Sequence, residues 1–166
     1  MSALRVGLLL AAMIVVADQS SKWLALMLLN PYEPVSVLPF FDFRLAFNPG
    51  AAFSLLANGS GWQRWLLSAV AIAVSIYLVF WLRGLAPTQR CQTMGVGLVL
   101  GGAIGNLIDR VHLGVVIDFI DLHAAGWHWP AFNLADSAIT VGVVAIVMSA
   151  WREWREERAQ GEVRRR

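Results

Sequence analysis

Four long apolar stretches constrain the fold more than any other feature of this 166-residue sequence. Each is about as long as the roughly 20 residues that a helix needs to cross a bilayer. The composition agrees, because 58% of the residues are hydrophobic and only 14% are charged, as in membrane proteins. We therefore expect a mainly α membrane protein, a four-transmembrane-helix bundle that forms one membrane-embedded domain over residues 1–166. The predicted spans are 4–29, 62–82, 91–111 and 133–151, followed by a tail at 152–166 that continues the last helix into solvent.

The basic residues predict the orientation of these spans. Four crossings place both termini on one side of the membrane, and nine of the thirteen Lys and Arg residues fall on that side. Because positive charge concentrates in cytoplasmic segments, we expect both termini in the cytoplasm and the loops 30–61 and 112–132 outside. No small-residue cleavage site follows the first apolar run, so we expect it to be retained as a span. The nine residues are Arg5, Arg83, Arg90, Arg152, Arg155, Arg158, Arg164, Arg165 and Arg166.

The first outer loop carries the pattern of a β-strand. Apolar and polar residues alternate over 41–47, which is typical of a strand with one apolar face. Asn48-Pro49-Gly50 follows as a type II turn, and 51–56 is predicted to be the returning strand. Because a bare sheet edge is not tolerated in hydrocarbon, we expect a small β-sheet on the outer membrane surface. The residues of the apolar face are Phe41, Phe43, Leu45 and Phe47.

Two acids, Asp118 and Asp136, lie at the edges of long apolar segments joined by a short loop. A carboxylate in a membrane segment is expensive, so a functional role is the default interpretation. Two carboxylates forced close together do not both ionise easily, and one tends to keep its proton while the other stays charged. Such a pair provides a general base for water and a general acid for a leaving group. We predict that Asp118 and Asp136 form this pair.

Other polar residues inside the spans are open to two interpretations. Asp18 and Lys22 are four residues apart and share a helix face, so they form either a self-neutralising pair that packs the bundle or part of a functional site. Asn106 and Arg110 are also four apart. Arg110 either pairs with Asp109 or reaches the interface, or, together with Asp118, it directs a donor group at a carbonyl or an acid. The glycines of 101–105 indicate close helix packing.

Several other kinds of function find little support in the sequence. The single cysteine, Cys91, excludes an internal disulfide and a thiolate cluster. His112, His123 and His128 match no usual zinc spacing. No phosphate-binding glycine loop, nucleophile elbow or Ser–Lys dyad stands out. The basic residues follow the membrane topology and do not form a nucleic-acid surface. We therefore expect no metal, no cofactor and no nucleic-acid partner.

Five segments, in order along nearly the whole chain, resemble the motifs of the bacterial lipoprotein signal peptidase (signal peptidase II) family. One departure is Pro49, where many members of that family carry Thr, and it affects the expected turn. Asp121 lies outside these segments, three residues from Asp118, and we expect it to be dispensable for activity. The segments are Asp18-Gln19-Ser20-Ser21-Lys22, Asn48-Pro49-Gly50-Ala51-Ala52-Phe53, residues 101–110, Val116-Ile117-Asp118-Phe119 and Phe132-Asn133-Leu134-Ala135-Asp136-Ser137.

The resemblance implies a membrane aspartic peptidase that cleaves the signal peptide from a prolipoprotein, just before a cysteine carrying a diacylglyceryl group. It implies a bacterial inner-membrane location with the active site toward the outer face, and lipid-modified prolipoproteins and membrane lipids as partners. We expect a monomer. Two alternatives are a small ion- or proton-coupled transporter, whose path would use the intramembrane charges, and an inert scaffold. The implied catalytic acids are Asp118 and Asp136, and the implied support residues are Asp18, Lys22, Asn48, Gly50, Asn106, Arg110 and Asn133.

Overall fold

The computed structural model describes residues 1–50 and 61–164, and this part of the chain contains four long helices and one four-stranded sheet. All four helices are long and apolar enough to cross a membrane, which confirms the predicted bundle. The fourth helix continues without a break from the predicted span into the tail, as far as Arg164. The helices are α1 Ala3–Leu28, α2 Trp62–Gly84, α3 Arg90–His112 and α4 Leu134–Arg164, and the strands are β1 Val35–Leu38, β2 Phe41–Asn48, β3 Val116–Ala124 and β4 Trp127–His128.

Helix α3 is the most buried of the four spans and packs against the other three. Glycines allow this close approach, as the sequence predicts for 101–105. A Cβ atom on Gly101 would lie 2.8 Å from the Ala11 carbonyl oxygen of α1, and one on Gly95 would lie 2.8 Å from the Gly142 carbonyl oxygen of α4. Side chains at these positions would therefore push the helices apart.

Two apolar clusters hold the molecule together. One lies in the half of the bundle away from the sheet and contains the fully buried Leu82, Val96 and Leu100. The other joins the sheet to the end of α1, where Ala25 packs with Leu45, Ile117 and Phe119. This second cluster seats the sheet on the end of the bundle, which fixes β3 relative to the helices.

The sheet is antiparallel, with the strand order β1-β2-β3-β4. Strand β2 confirms the strand predicted at 41–47, but its partner β3 lies in a segment that the sequence assigns to a loop. The register shifts between Phe43 and Ala46, and this irregularity disturbs the alternation of faces. Phe47 is 48% exposed while Asp42 is buried, and the common apolar face expected for the strand stays a prediction. The predicted return strand 51–56 lies outside the described residues.

Candidate active site

The two predicted acids come from the sheet and from the bundle. Asp118 is the third residue of β3 and is only 2% exposed, whereas Asp136 lies in the first turn of α4 and is partly exposed. The chain that leads into α4 runs back alongside β3, because the Phe132 N–H donates to the Ile120 carbonyl at 3.1 Å. This return places the start of α4 beside Asp118.

Asn133 contacts both acids. Its side-chain Nδ2 donates to Asp118 Oδ1 at 2.8 Å, and its backbone N–H donates to Asp136 Oδ2 at 3.3 Å. Its Oδ1 accepts from the Asp136 backbone N–H at 2.9 Å. The last two bonds form a reciprocal cap on the first turn of α4. One fully buried residue therefore caps the helix and joins the two carboxylates.

Two more asparagines complete the hydrogen bonding of the acids. Asn48 Nδ2 donates to Asp118 Oδ2 at 3.1 Å, and Asn106 Nδ2 donates to Asp136 Oδ1 at 2.8 Å. Asn133 Nδ2 also donates to Asn106 Oδ1 at 3.1 Å. Each of the four carboxylate oxygens thus accepts a hydrogen bond from an amide, and this network brings together five of the predicted site residues.

The environment of Asp118 favours its protonated form. Burial penalises the charged carboxylate, and the nearby charge of Asp136 adds to this effect, so that the pKa of Asp118 is raised to about 7 despite the lowering effect of the Asn48 and Asn133 hydrogen bonds. Asp118 therefore exchanges a proton in the neutral range, where an ordinary aspartate is fully ionised.

Arg110 supports the turn that carries Asn48. Its guanidinium donates to the Gly50 carbonyl at 3.2 Å and to the Asn106 carbonyl at 3.3 Å. The Gly50 N–H in turn donates to Asn48 Oδ1 at 3.0 Å, which leaves the Asn48 amide hydrogens for Asp118. The two carbonyl contacts of Arg110 fit the interpretation that it directs a donor group at a carbonyl, whereas Asp109, the other suggested partner, lies against Lys22.

Asp18 and Lys22 form the expected ion pair, with 2.8 Å between Nζ and Oδ2. The lysine also contacts Asp109 Oδ2 and Asn106 Oδ1, each at 2.9 Å. Gln19 Nε2 donates to Asp109 Oδ1 at 2.9 Å. Neither Asp109 nor Gln19 was among the predicted site residues, although Asp109 is three residues from Asn106 and therefore on the same helix face.

A cavity of about 540 Å³ opens beside Asp136. Its polar end is formed by Asp136 with Asn48, Asn106 and Arg110, and the remaining wall is largely apolar. Asp118 does not line it and lies behind this polar end, consistent with its burial. The other lining residues are Val116, Leu122, Trp129, Pro130, Ala131, Phe132, Ser137, Ile139, Thr140 and Val141. Such a cavity suits an apolar chain that presents one polar bond to the acids.

The remaining acids and histidines of the sheet form separate pairs. Asp121 is 2% exposed on β3, where His128 Nδ1 lies 2.9 Å and Arg44 Nη1 3.6 Å from its carboxylate. His123 Nε2 lies 3.2 Å from Asp42 Oδ2. Asp121 is thus a buried, ion-paired residue rather than a loop acid, and its recorded contacts are with Arg44 and His128 rather than with the two predicted catalytic acids.

Comparison with known proteins identifies the family. The family model described as Signal peptidase (SPase) II matches residues 10–152. A lipoprotein signal peptidase of Polynucleobacter necessarius is 50% identical over 149 residues, which cover 90% of this chain and 89% of that protein. One of Pseudomonas fluorescens strain Pf-5 is 50% identical over 145 residues, covering 86% and 85%.

Solved structures agree with this match. A bacterial membrane enzyme determined by the in meso method at 2.3 Å resolution superposes with a TM-score of 0.80 and is 32% identical, covering 89% of this chain and 88% of that one. The sequence motifs, the four spans and these relatives point to one assignment. The chain belongs to the signal peptidase II family and is therefore a protease.

Proposed function

We propose that this protein is an aspartic endopeptidase that removes the signal peptide from diacylglyceryl-modified prolipoproteins, with Asp118 and Asp136 as its catalytic acids. The observation that carries the proposal is the contact of Asn133 with both carboxylates, one of which, that of Asp136, lines the polar end of the cavity. An aspartic mechanism needs one protonated and one ionised acid around a water molecule. A shared amide neighbour holds the two acids in a fixed relative position for this purpose.

The surroundings of the two acids support a division of roles between them. Asp136 lies at the N-terminal end of α4, where the helix dipole favours a negative charge, and it accepts two amide hydrogen bonds. Burial and the charge of Asp136 raise the pKa of Asp118 to about 7, which favours its protonated form. In the proposed reaction Asp136 takes a proton from the attacking water while Asp118 protonates the scissile carbonyl oxygen. When the intermediate collapses, Asp136 protonates the leaving amine and the hydroxyl proton returns to Asp118.

The cavity supports a lipid-anchored substrate. Its wall follows the membrane span α4 through Ile139 and Val141, next to the polar end at Asp136. A lipidated precursor is held in the bilayer by its acyl chains, so its cleavage site lies close to the membrane surface. This arrangement favours cleavage just before the modified cysteine, at the membrane boundary of the site.

We further propose the membrane arrangement that this substrate requires. The protein is one domain over residues 1–166 in the bacterial inner membrane, with both termini in the cytoplasm and the sheet and site at the outer face. It acts as a monomer without a cofactor, and its partners are prolipoproteins and membrane lipids. The positive-inside distribution of Lys and Arg supports this orientation.

The transporter alternative is less favoured. A path for ions or protons needs polar groups along the whole depth of the membrane. Among the described residues, Asp18, Lys22, Asp109 and Asp136 form one network at the sheet end of the bundle. The interior of the opposite half is the apolar cluster around Leu82 and Leu100.

The test compares Asp118→Asn, Asp136→Asn and the double variant in purified, detergent-solubilised form. Asn has nearly the shape of Asp but does not cycle a proton, so each single variant should lose the ability to cleave a diacylglyceryl-modified precursor. Cleavage is measured by the shift of the precursor band on a gel. Because the acids act as a unit, the double variant should be little worse than either single one. Asp121→Asn is the matched control on the same strand and should remain active per folded molecule. Substantial turnover by either dyad variant would refute the mechanism.

A further inference from the structure

A cluster of three buried side chains and one partly buried side chain lies directly beneath the proposed acids. It consists of Asp18, Gln19 and Lys22 of α1 and Asp109 of α3, and we call it the lysine cluster. The lysine is 2% exposed, Asp18 0% and Asp109 3%. The ammonium group of Lys22 has one acceptor for each of its three hydrogens, in Asp18, Asp109 and Asn106. Gln19 Nε2 closes a ring, because it contacts Asp18 Oδ2 at 3.2 Å as well as Asp109 Oδ1.

Both cluster carboxylates also accept a hydrogen bond from the backbone. Asp18 Oδ1 accepts from the Ala135 N–H at 2.9 Å, and Asp109 Oδ2 accepts from the Ile117 N–H at 3.1 Å. Ala135 immediately precedes Asp136, and Ile117 immediately precedes Asp118. The same lysine therefore joins two carboxylates, each of which holds the main chain one residue before a proposed acid.

We propose that Asp109 is a positioning residue for the reaction: with Asp18, and around the shared Lys22, it fixes the backbone that carries each of the two acids. Asp118 and Asp136 belong to different elements, so packing within one element does not set their separation. The lysine cluster supplies a common reference point for the start of β3 and the start of α4. This inference rests on the proposed function of the two acids.

The charges explain why a lysine occupies the centre. Two buried carboxylates beside each other repel, and an unpaired buried charge is strongly unfavourable. The ammonium group neutralises part of this charge and orients both carboxylates through donated hydrogen bonds. Because the lysine only donates, it also fixes Asn106 Oδ1 as an acceptor, which directs the Asn106 amide hydrogens to Asp136.

The test measures kcat and KM for Asp109→Ala and Asp109→Asn, normalised to folded protein in detergent. Alanine leaves the Ile117 N–H without its acceptor, and a displacement of about 1 Å in a catalytic group costs roughly 100-fold in rate. We expect kcat of Asp109→Ala to fall roughly 100-fold while KM changes by less than about threefold. Asparagine keeps an acceptor for this N–H, so the kcat of Asp109→Asn should fall by no more than about tenfold. If Asp109→Ala does not fold, Asp109→Ser replaces it, since its hydroxyl is too short to reach Ile117.

The matched control is Asp121→Ala, which also removes a buried, ion-paired carboxylate associated with β3. It should lower thermal stability but keep the wild-type kcat. The positioning role is refuted if Asp109→Ala behaves like this control, or if the Asn and Ala variants lose equal activity, which would assign the effect to charge alone. Asp118→Asn is measured alongside. If it is active, the proposed mechanism itself fails; if it is inactive while Asp109→Ala keeps its kcat, only the positioning role fails.

Discussion

Asp118→Asn should stabilise the protein increasingly as the pH rises from about 5 to about 7. The pKa of Asp118 is raised from 3.8 to about 7 by burial and by the charge of Asp136. Between these values the folded protein holds a proton that the unfolded chain has released, so the free energy of unfolding falls as the pH rises. The stabilising effect of the protonated acid is thus fully present below pH 3.8 and is lost by the time the pH passes about 7.

The magnitude follows from the size of the pKa shift. One pKa unit corresponds to about 1.4 kcal/mol, so the wild-type protein loses about 4 kcal/mol over the full range and about 2.3 kcal/mol between pH 5 and pH 7, where the folded acid is already half ionised. The asparagine of the variant does not titrate, so this pH-dependent loss in the free energy of unfolding is absent from Asp118→Asn. Any cost of an amide group facing Asn48 and Asn133 is independent of pH and does not change the slope.

Thermal unfolding followed by tryptophan fluorescence in detergent measures the effect, at several pH values for both proteins. For a chain of this size about 1 kcal/mol shifts Tm by roughly 2–4 °C. The Tm of Asp118→Asn minus that of the wild type should therefore rise by roughly 5–10 °C from about pH 5 to about pH 7. A difference that stays constant, or that falls with pH, would refute the assignment of a raised pKa to Asp118.

Three further predictions concern packing and topology. Gly105→Ala places a Cβ 2.5 Å from Asp18 Oδ2, so turnover and Tm should both fall, with a stability loss of about 1–3 kcal/mol; unchanged turnover would show that Asp18 tolerates displacement. Leu82→Ala empties a fully buried position in the apolar cluster and should cost about 2–5 kcal/mol, while cleavage per folded molecule stays at the wild-type level. Reporter fusions at residue 87 and at the C-terminus should both give cytoplasmic signals, and a periplasmic signal at either point would contradict the proposed orientation.

The membrane spans were predictable because the bilayer imposes both their length and their composition. The expected span 62–82 corresponds to Trp62–Gly84, and 91–111 corresponds to Arg90–His112. Asp118 and Asp136 stood out because carboxylates are rare beside apolar segments. These features depend only on local sequence and on the solvent that surrounds the chain.

Features that depend on distant partners were not predictable. Strand β3 exists because it pairs with β2, about 70 residues earlier, as in Ala46 with Asp118. The contact of Asp109 with Lys22 depends on which faces of α3 and α1 meet, and sequence spacing within one helix does not determine this. The interpretation of Arg110 stayed open for the same reason, since Asp109 is its neighbour in sequence but contacts Lys22 of another helix.

The order of synthesis means that the proposed active site is completed only late in the synthesis of the chain. A growing chain contains Asp118 before it contains Asn133 or Asp136, and chains fold from the N-terminal part during synthesis. Three inserted spans would hold one acid without the residue that joins it to the other, and Asp18 would lack the Ala135 N–H. If the two acids act as proposed, proteolysis starts only when the last span has entered the membrane, so that precursors near the insertion machinery are protected from a half-made enzyme.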